Sequence, residues 1–86
     1  MRQPILREKE FKQKKGLTYG KYYPTQGVVQ IDPRQPERDR FDTTIHEIIH
    51  HFEEEFGVDI GEERVVEMAK VLTKAMFDGE GYRRVK

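Results

Sequence analysis

In the run TTIHEIIHHFEEEFG, residues 43 to 57, Ile45, Ile48, Ile49, Phe52 and Phe56 fall on one stripe when plotted at about 100° per residue. A chain carrying this run is committed to a helix there, with that stripe turned to the core. Asp42 or Thr43 is the expected N-cap, and Gly57 is placed to end the helix in the left-handed conformation, so the predicted helix covers about 43 to 56. His46 and His50 are one turn apart on this helix, roughly 100° to 140° round from Ile45. Both imidazoles therefore leave from the same side, at the margin of the apolar stripe, with Glu47 beside them.

Residues on either side complete a small α+β pattern. GLTYGKYYPTQGVVQIDP alternates β-branched and aromatic residues between glycines and prolines, with turn chemistry at Pro24 to Gly27. It predicts a β-hairpin with strands near 17 to 22 and 28 to 32. Pro33 and Pro36 mark the following PRQPERDR as a connection. After a short link at Val58 to Gly61, Val65, Met68, Ala69, Leu72 and Met76 recur at helical spacing, which predicts a second helix from 61 or 62 to 77. The expected organisation is one domain over residues 1–86, with a core at 16–77 and a tail at 78–86. Residues 1–15 carry six basic side chains (Arg2, Arg7, Lys9, Lys12, Lys14, Lys15) against Glu8 and Glu10. They read either as a solvated strand or helix edge or as a basic arm for an acidic partner.

Composition decides between classes of function. With 86 residues the chain has room for one small core, and at 35% hydrophobic and 37% charged that core is thin enough to gain from a metal or a partner chain. Sixteen basic against sixteen acidic residues leave no net charge, which argues against a nucleic-acid or membrane-surface protein. No cysteine is present, so a metal site would be built from His and carboxylates. The N-terminal MRQPILREKEF has no apolar run suited to a signal peptide or membrane span, and a cytoplasmic location is expected.

HEIIH is a metal-ligating pattern with a mechanism attached. Zinc held by two imidazoles and a carboxylate keeps an open position for water, and Glu47 is placed to act as general base. In a chain with three histidines this spelling arises by chance in only roughly 1% of cases, and it falls on an amphipathic helix after a hairpin. His51, about 240° from Ile45, points away from the pair and reads as a solvated or hydrogen-bonded histidine rather than a ligand. For the third ligand the sequence offers Glu53, Glu62, Glu63 and Glu67. Glu53 shares the histidines' helix, and one straight helix rarely wraps three ligands round an ion. The wheel favours Glu62, on the margin of the second helix's apolar face, over Glu63. Depth favours the neighbourhood of Glu67, because simple antiparallel helices would bring that residue level with His50. The competing reading of Glu62 and Glu63 is charge stabilisation of a helix N-terminus.

The run from GVVQID through TTIHEIIHHFEEEFGVDIGEERVVEMAKVL resembles the minimal HExxH metallopeptidases related to the ImmA/IrrE family, over about residues 16 to 77. The resemblance implies a gluzincin-like, minimal zincin fold in which a small sheet packs on an active-site helix followed by a glutamate helix. It implies that His46, His50 and Glu62 bind Zn²⁺, that Glu47 is the general base, and that a protein or peptide is hydrolysed, with a partner or second copy completing the cleft. Val66 stands where larger members often carry a small acidic or amide residue. The sheet edge, shaped by Val28, Val29 and Ile31, would accept an extended peptide; the competing reading is that these three simply form the sheet's core and rim. Tyr19, Tyr22, Tyr23 and Tyr82 are candidate oxyanion donors among which no spacing selects. The rival expectation is a non-catalytic, zinc-stabilised protein-binding module.

Overall fold

Val28-Val29-Gln30-Ile31 is the most apolar of the strands, and it takes the central place in the sheet. The computed structural model describes residues 3–11 and 19–79. Over these the chain forms β1 (Ile5–Glu8), β2 (Gly20–Tyr23), β3 (Val28–Ile31), α1 (Glu37–Phe56) and α2 (Glu62–Leu72), and α2 runs on into a wider π-helical turn at Thr73–Phe77. The sheet order is β1-β3-β2, with β1 parallel and β2 antiparallel to β3. The fold is a small α+β arrangement of a three-stranded sheet and two helices.

The predicted hairpin is present as β2 and β3, closed by Pro24 to Gly27, where Gly27 takes a positive φ of 64° that a side chain would resist. Positions 17 and 18 of its expected first strand lie outside the described residues, as do 1–2 and 12–15 of the basic arm and 80–86 of the tail. Within the arm, Ile5–Glu8 pair with Val28–Ile31, so this part is an edge strand. β3 is hydrogen-bonded on both sides, so of the two readings of Val28, Val29 and Ile31 the structure bears out the sheet's core and corrects the peptide-accepting edge. The edge nearest α1 is β2.

Pairing fixes the faces. Tyr22 lies opposite Val29 and Gly20 opposite Ile31, so these four share the face that α1 covers. Val29 is 0% exposed and Ile31 5%. A second apolar cluster joins the helices: Ile49, Val65 and Ala69 are buried, with Ile45, Ile60 and Leu72 packed round them.

Helix α1 starts six residues before the expected N-cap. Pro36 occupies that position with φ −52° and ψ 148°, and the Arg40 N–H donates to its carbonyl. A proline lacks only an N–H that the first turn leaves unpaired anyway, and Glu37 and Asp39 in that turn favour the dipole. Asp42 and Thr43 are therefore interior, and the Thr43 hydroxyl donates to Gln35 Oε1 at 2.8 Å.

The connection before α1 is held by a buried carboxylate. Asp32 accepts from Arg34 Nε and Nη2 (3.0 and 2.7 Å), from Arg34 N (3.0 Å) and from Phe11 N (3.1 Å), while Arg34 Nη2 also donates to Phe11 O. The Arg34 side-chain bonds hold the Asp32 carboxyl well below the usual carboxylate range, against the opposing effect of burial. A depressed native pKa means that protons bind the unfolded chain first, at about pH 4. The stabilisation is complete above that pH and is lost as pH falls towards the native pKa. Urea midpoints of wild type and Asp32→Asn are accordingly expected to differ most near pH 7 and to converge below about pH 4. A gap that stays constant from pH 7 to pH 3 would refute this account.

No helix among the described residues is long and apolar enough to cross a membrane.

Candidate metal centre

Helix α1 delivers His46, Glu47 and His50, and the first turn of α2 delivers Glu62. His46 Nε2 and His50 Nε2 are 3.3 Å apart, Glu62 Oε1 is 3.0 Å from His46 Nε2, and Glu62 Oε2 is 3.0 Å from His50 Nε2. A tetrahedral ion with bonds of about 2.0–2.1 Å keeps neighbouring donor atoms about 3.3 Å apart. The three side chains present a donor set of that size and chemistry, so a zinc-like cation fits them.

The choice of Glu62 over Glu67 follows from the loop. Helix α1 rises 1.5 Å per residue, so Phe56 lies about 9 Å beyond His50 along the axis. Residues 57–61 recover that distance because an irregular chain advances up to roughly 3.3 Å per residue. Gly57 turns the chain at φ 63° and Gly61 admits it to α2 at φ 93°. Helix α2 thus begins level with His50, whereas a tight reversal would have placed Glu67 there. Glu62, Glu63 and Glu67 are all exposed, and it is Glu62 whose carboxylate lies 3.0 Å from both histidines.

The same geometry corrects the apolar stripe. Ile49 is buried, but Phe52 is 36% and Phe56 64% exposed, because the loop, not α2, returns past the last turns of α1. His51 is fully buried on the sheet side, where its Nδ1 shares a 3.1 Å hydrogen bond with the Tyr22 hydroxyl. Of the other tyrosines, Tyr23 lies on the opposite sheet face with Lys21, Tyr19 lines a cleft beside His46, and Tyr82 is outside the described residues.

Glu53 was weighed in the sequence only as a ligand, and spacing alone gives it no other role. Its Oε1 instead meets His50 Nδ1 at 2.7 Å, and its Oε2 accepts the Ile60 N–H at 2.8 Å. The Ile60 hydrogen bond, followed by the contact with His50, holds the Glu53 carboxyl below its ordinary range.

Glu47 is half-buried between α1 and β2. Burial pushes its carboxyl up, and nearby Glu62 adds to that, against the pull of His46 and His50. Gly20 makes this approach of strand to helix feasible. A Cβ there would lie 2.5 Å from Thr43 Cγ2 and 3.3 Å from Glu47 Cγ, and a β-branched helical side chain has little freedom to retreat. The sequence signal was a lone glycine inside a strand pattern.

Two clefts, of about 630 and 590 Å³, meet at Gly20, His46 and Glu47. One continues along Arg34, Asp39 and Asp42, the other along Lys21, Glu54, Asp59 and Glu62. No protein-family model, curated protein or solved structure matches the chain.

Proposed function

We propose that this chain is a zinc-dependent metallopeptidase acting on a restricted protein or peptide target, built on a minimal zincin-like plan. The observation that carries this reading is the convergence of His46, His50 and Glu62 donor atoms within bonding reach of one ion, with the Glu47 carboxyl in the adjoining cleft. A zinc ion held there would supply Lewis acidity and bring water to ionisation near pH 7.

The protein's own groups account for the rest. His46 and His50 bind through Nε2, and Glu62 closes the set from the second helix. Glu47 takes a proton from the water as its oxygen bonds to the carbonyl carbon. The same carboxyl returns that proton to the departing amine nitrogen as the C–N bond breaks. The place of β2 at the margin of the sheet and the paired clefts beside it offer an extended peptide a path past Glu47. The clefts are shallow, which supports a restricted target, with the far wall supplied by that target, a partner or a second copy.

The decisive experiment measures zinc per chain by elemental analysis of tag-free protein, then cleavage of a peptide library with and without a chelator. About one zinc per chain and chelator-sensitive cleavage are expected. Zinc without any cleavage would favour the non-catalytic binding module instead. No zinc after supplementation would exclude both.

A further inference from the structure

The Glu53 side chain lies between two parts of the centre that come from different segments. It is one turn beyond His50, only 15% exposed, and both carboxylate oxygens are engaged. Its backbone carbonyl also receives the Gly57 and Val58 N–H groups that end α1. Every oxygen of the residue is thus spent on His50 or on the chain leading to Glu62.

A carboxylate accepts hydrogen bonds and donates none, so at 2.7 Å the hydrogen must sit on His50 Nδ1. In the neutral ring this leaves the lone pair on Nε2, the atom 3.3 Å from His46 Nε2, although without an ion the Glu62 carboxylate, 3.0 Å from Nε2, competes for a hydrogen there. The second oxygen pins Ile60, two residues before Glu62, and so sets where α2 begins.

We propose that Glu53 is a positioning residue that fixes the His50 tautomer and, through the same carboxylate, docks the loop that brings Glu62 to the two histidines. The preference for zinc rests on the metal reading above; the tautomer and the docking do not. Partners of this kind orient a ligand ring and raise its basicity, and losing one typically costs 10–100-fold in metal affinity. Glutamine in place of Glu53 has a single carbonyl oxygen, enough for His50 or for Ile60 but not for both.

The test compares wild type, Glu53→Gln and Glu53→Ala in two ways. Long-range proton–nitrogen NMR of the metal-free, ¹⁵N-labelled proteins above pH 7, each in a Glu62→Ala background that removes the carboxylate facing Nε2, reads the tautomer of His50, with His46 as internal control. Competition with a chromophoric chelator reads zinc affinity, and circular dichroism checks that each variant is folded. Wild type is expected to hold His50 in the Nδ1–H form and Glu53→Ala to show a mixture of tautomers at His50. Zinc affinity should fall about 10–100-fold in Glu53→Ala and less in Glu53→Gln. A residue with a merely structural role would lower the melting temperature and leave tautomer and affinity unchanged. An unchanged tautomer in folded Glu53→Ala, or zinc affinity of that variant within about twofold of wild type, overturns the proposal. Should Glu53→Ala not fold, Glu53→Leu, which likewise offers no acceptor but keeps more of the side-chain volume, decides by the same two readings. If wild type takes up no zinc, the metal reading fails, and the His50 tautomer alone decides this inference.

Discussion

Replacing Glu47 with glutamine is expected to leave zinc bound and to lower peptide hydrolysis on the order of 10²–10⁴-fold, the usual worth of a positioned general base. The amide has nearly the same shape, so packing against Gly20 is kept, and no donor atom of the His46, His50 and Glu62 set is touched. What is lost is the capacity to take a proton from water. Burial already raises the affinity of this carboxyl for protons, which makes it a better base than an exposed glutamate while it remains ionised. Measurement of kcat/KM on the best library peptide, with zinc content determined on the same samples, separates the cases. A variant that binds zinc and cleaves as fast as wild type would remove Glu47 from the chemistry. A variant that loses zinc would mean that Glu47 is itself a ligand and that the third position is wrongly assigned.

The parts of the fold that could be read from sequence are those that periodicity encodes. The body of α1, the hairpin and α2 each announce themselves through spacing, and Gly57 ends α1 as its position suggests. The start of α1 is hidden because Pro33 and Pro36 mark PRQPERDR as a connection, although a proline is harmless just where a helix begins. The Asp32 clasp was hidden for a different reason. Its partners stand at positions 11 and 34, and no local pattern reports a carboxylate that joins segments 21 residues apart. Glu62 shows both limits together. The wheel gives its direction correctly, yet its height beside His50 depends on how far an irregular loop travels, and this in turn depends on the Ile60 to Glu53 hydrogen bond. The exposure of Phe52 and Phe56 follows from the same loop, since the stripe predicts which face is apolar but not how far a partner helix extends along it.

Removal of the ligands one at a time gives the second large effect. His46→Ala and His50→Ala are expected to abolish stoichiometric zinc, and Glu62→Ala to lose or greatly weaken it, while Glu63→Ala and Glu67→Ala retain it. Glu63 is turned about 100° from Glu62, and Glu67 lies more than a turn further along α2, away from the histidines. Zinc bound only by the native chain should stabilise it by about 4.1 kcal/mol when free zinc is 1,000 times Kd. At about 4–8 °C per kcal/mol for a chain of this size, that is a rise of roughly 16–32 °C in melting temperature. Wild type, Glu63→Ala and Glu67→Ala should show the rise and the other three should not. Loss of the rise in Glu67→Ala with its retention in Glu62→Ala would reverse the assignment. The core makes so large a dependence reasonable: the cluster joining the helices has only Ile49, Val65 and Ala69 fully buried, so an ion held by both helices would add to their docking what apolar burial supplies sparingly.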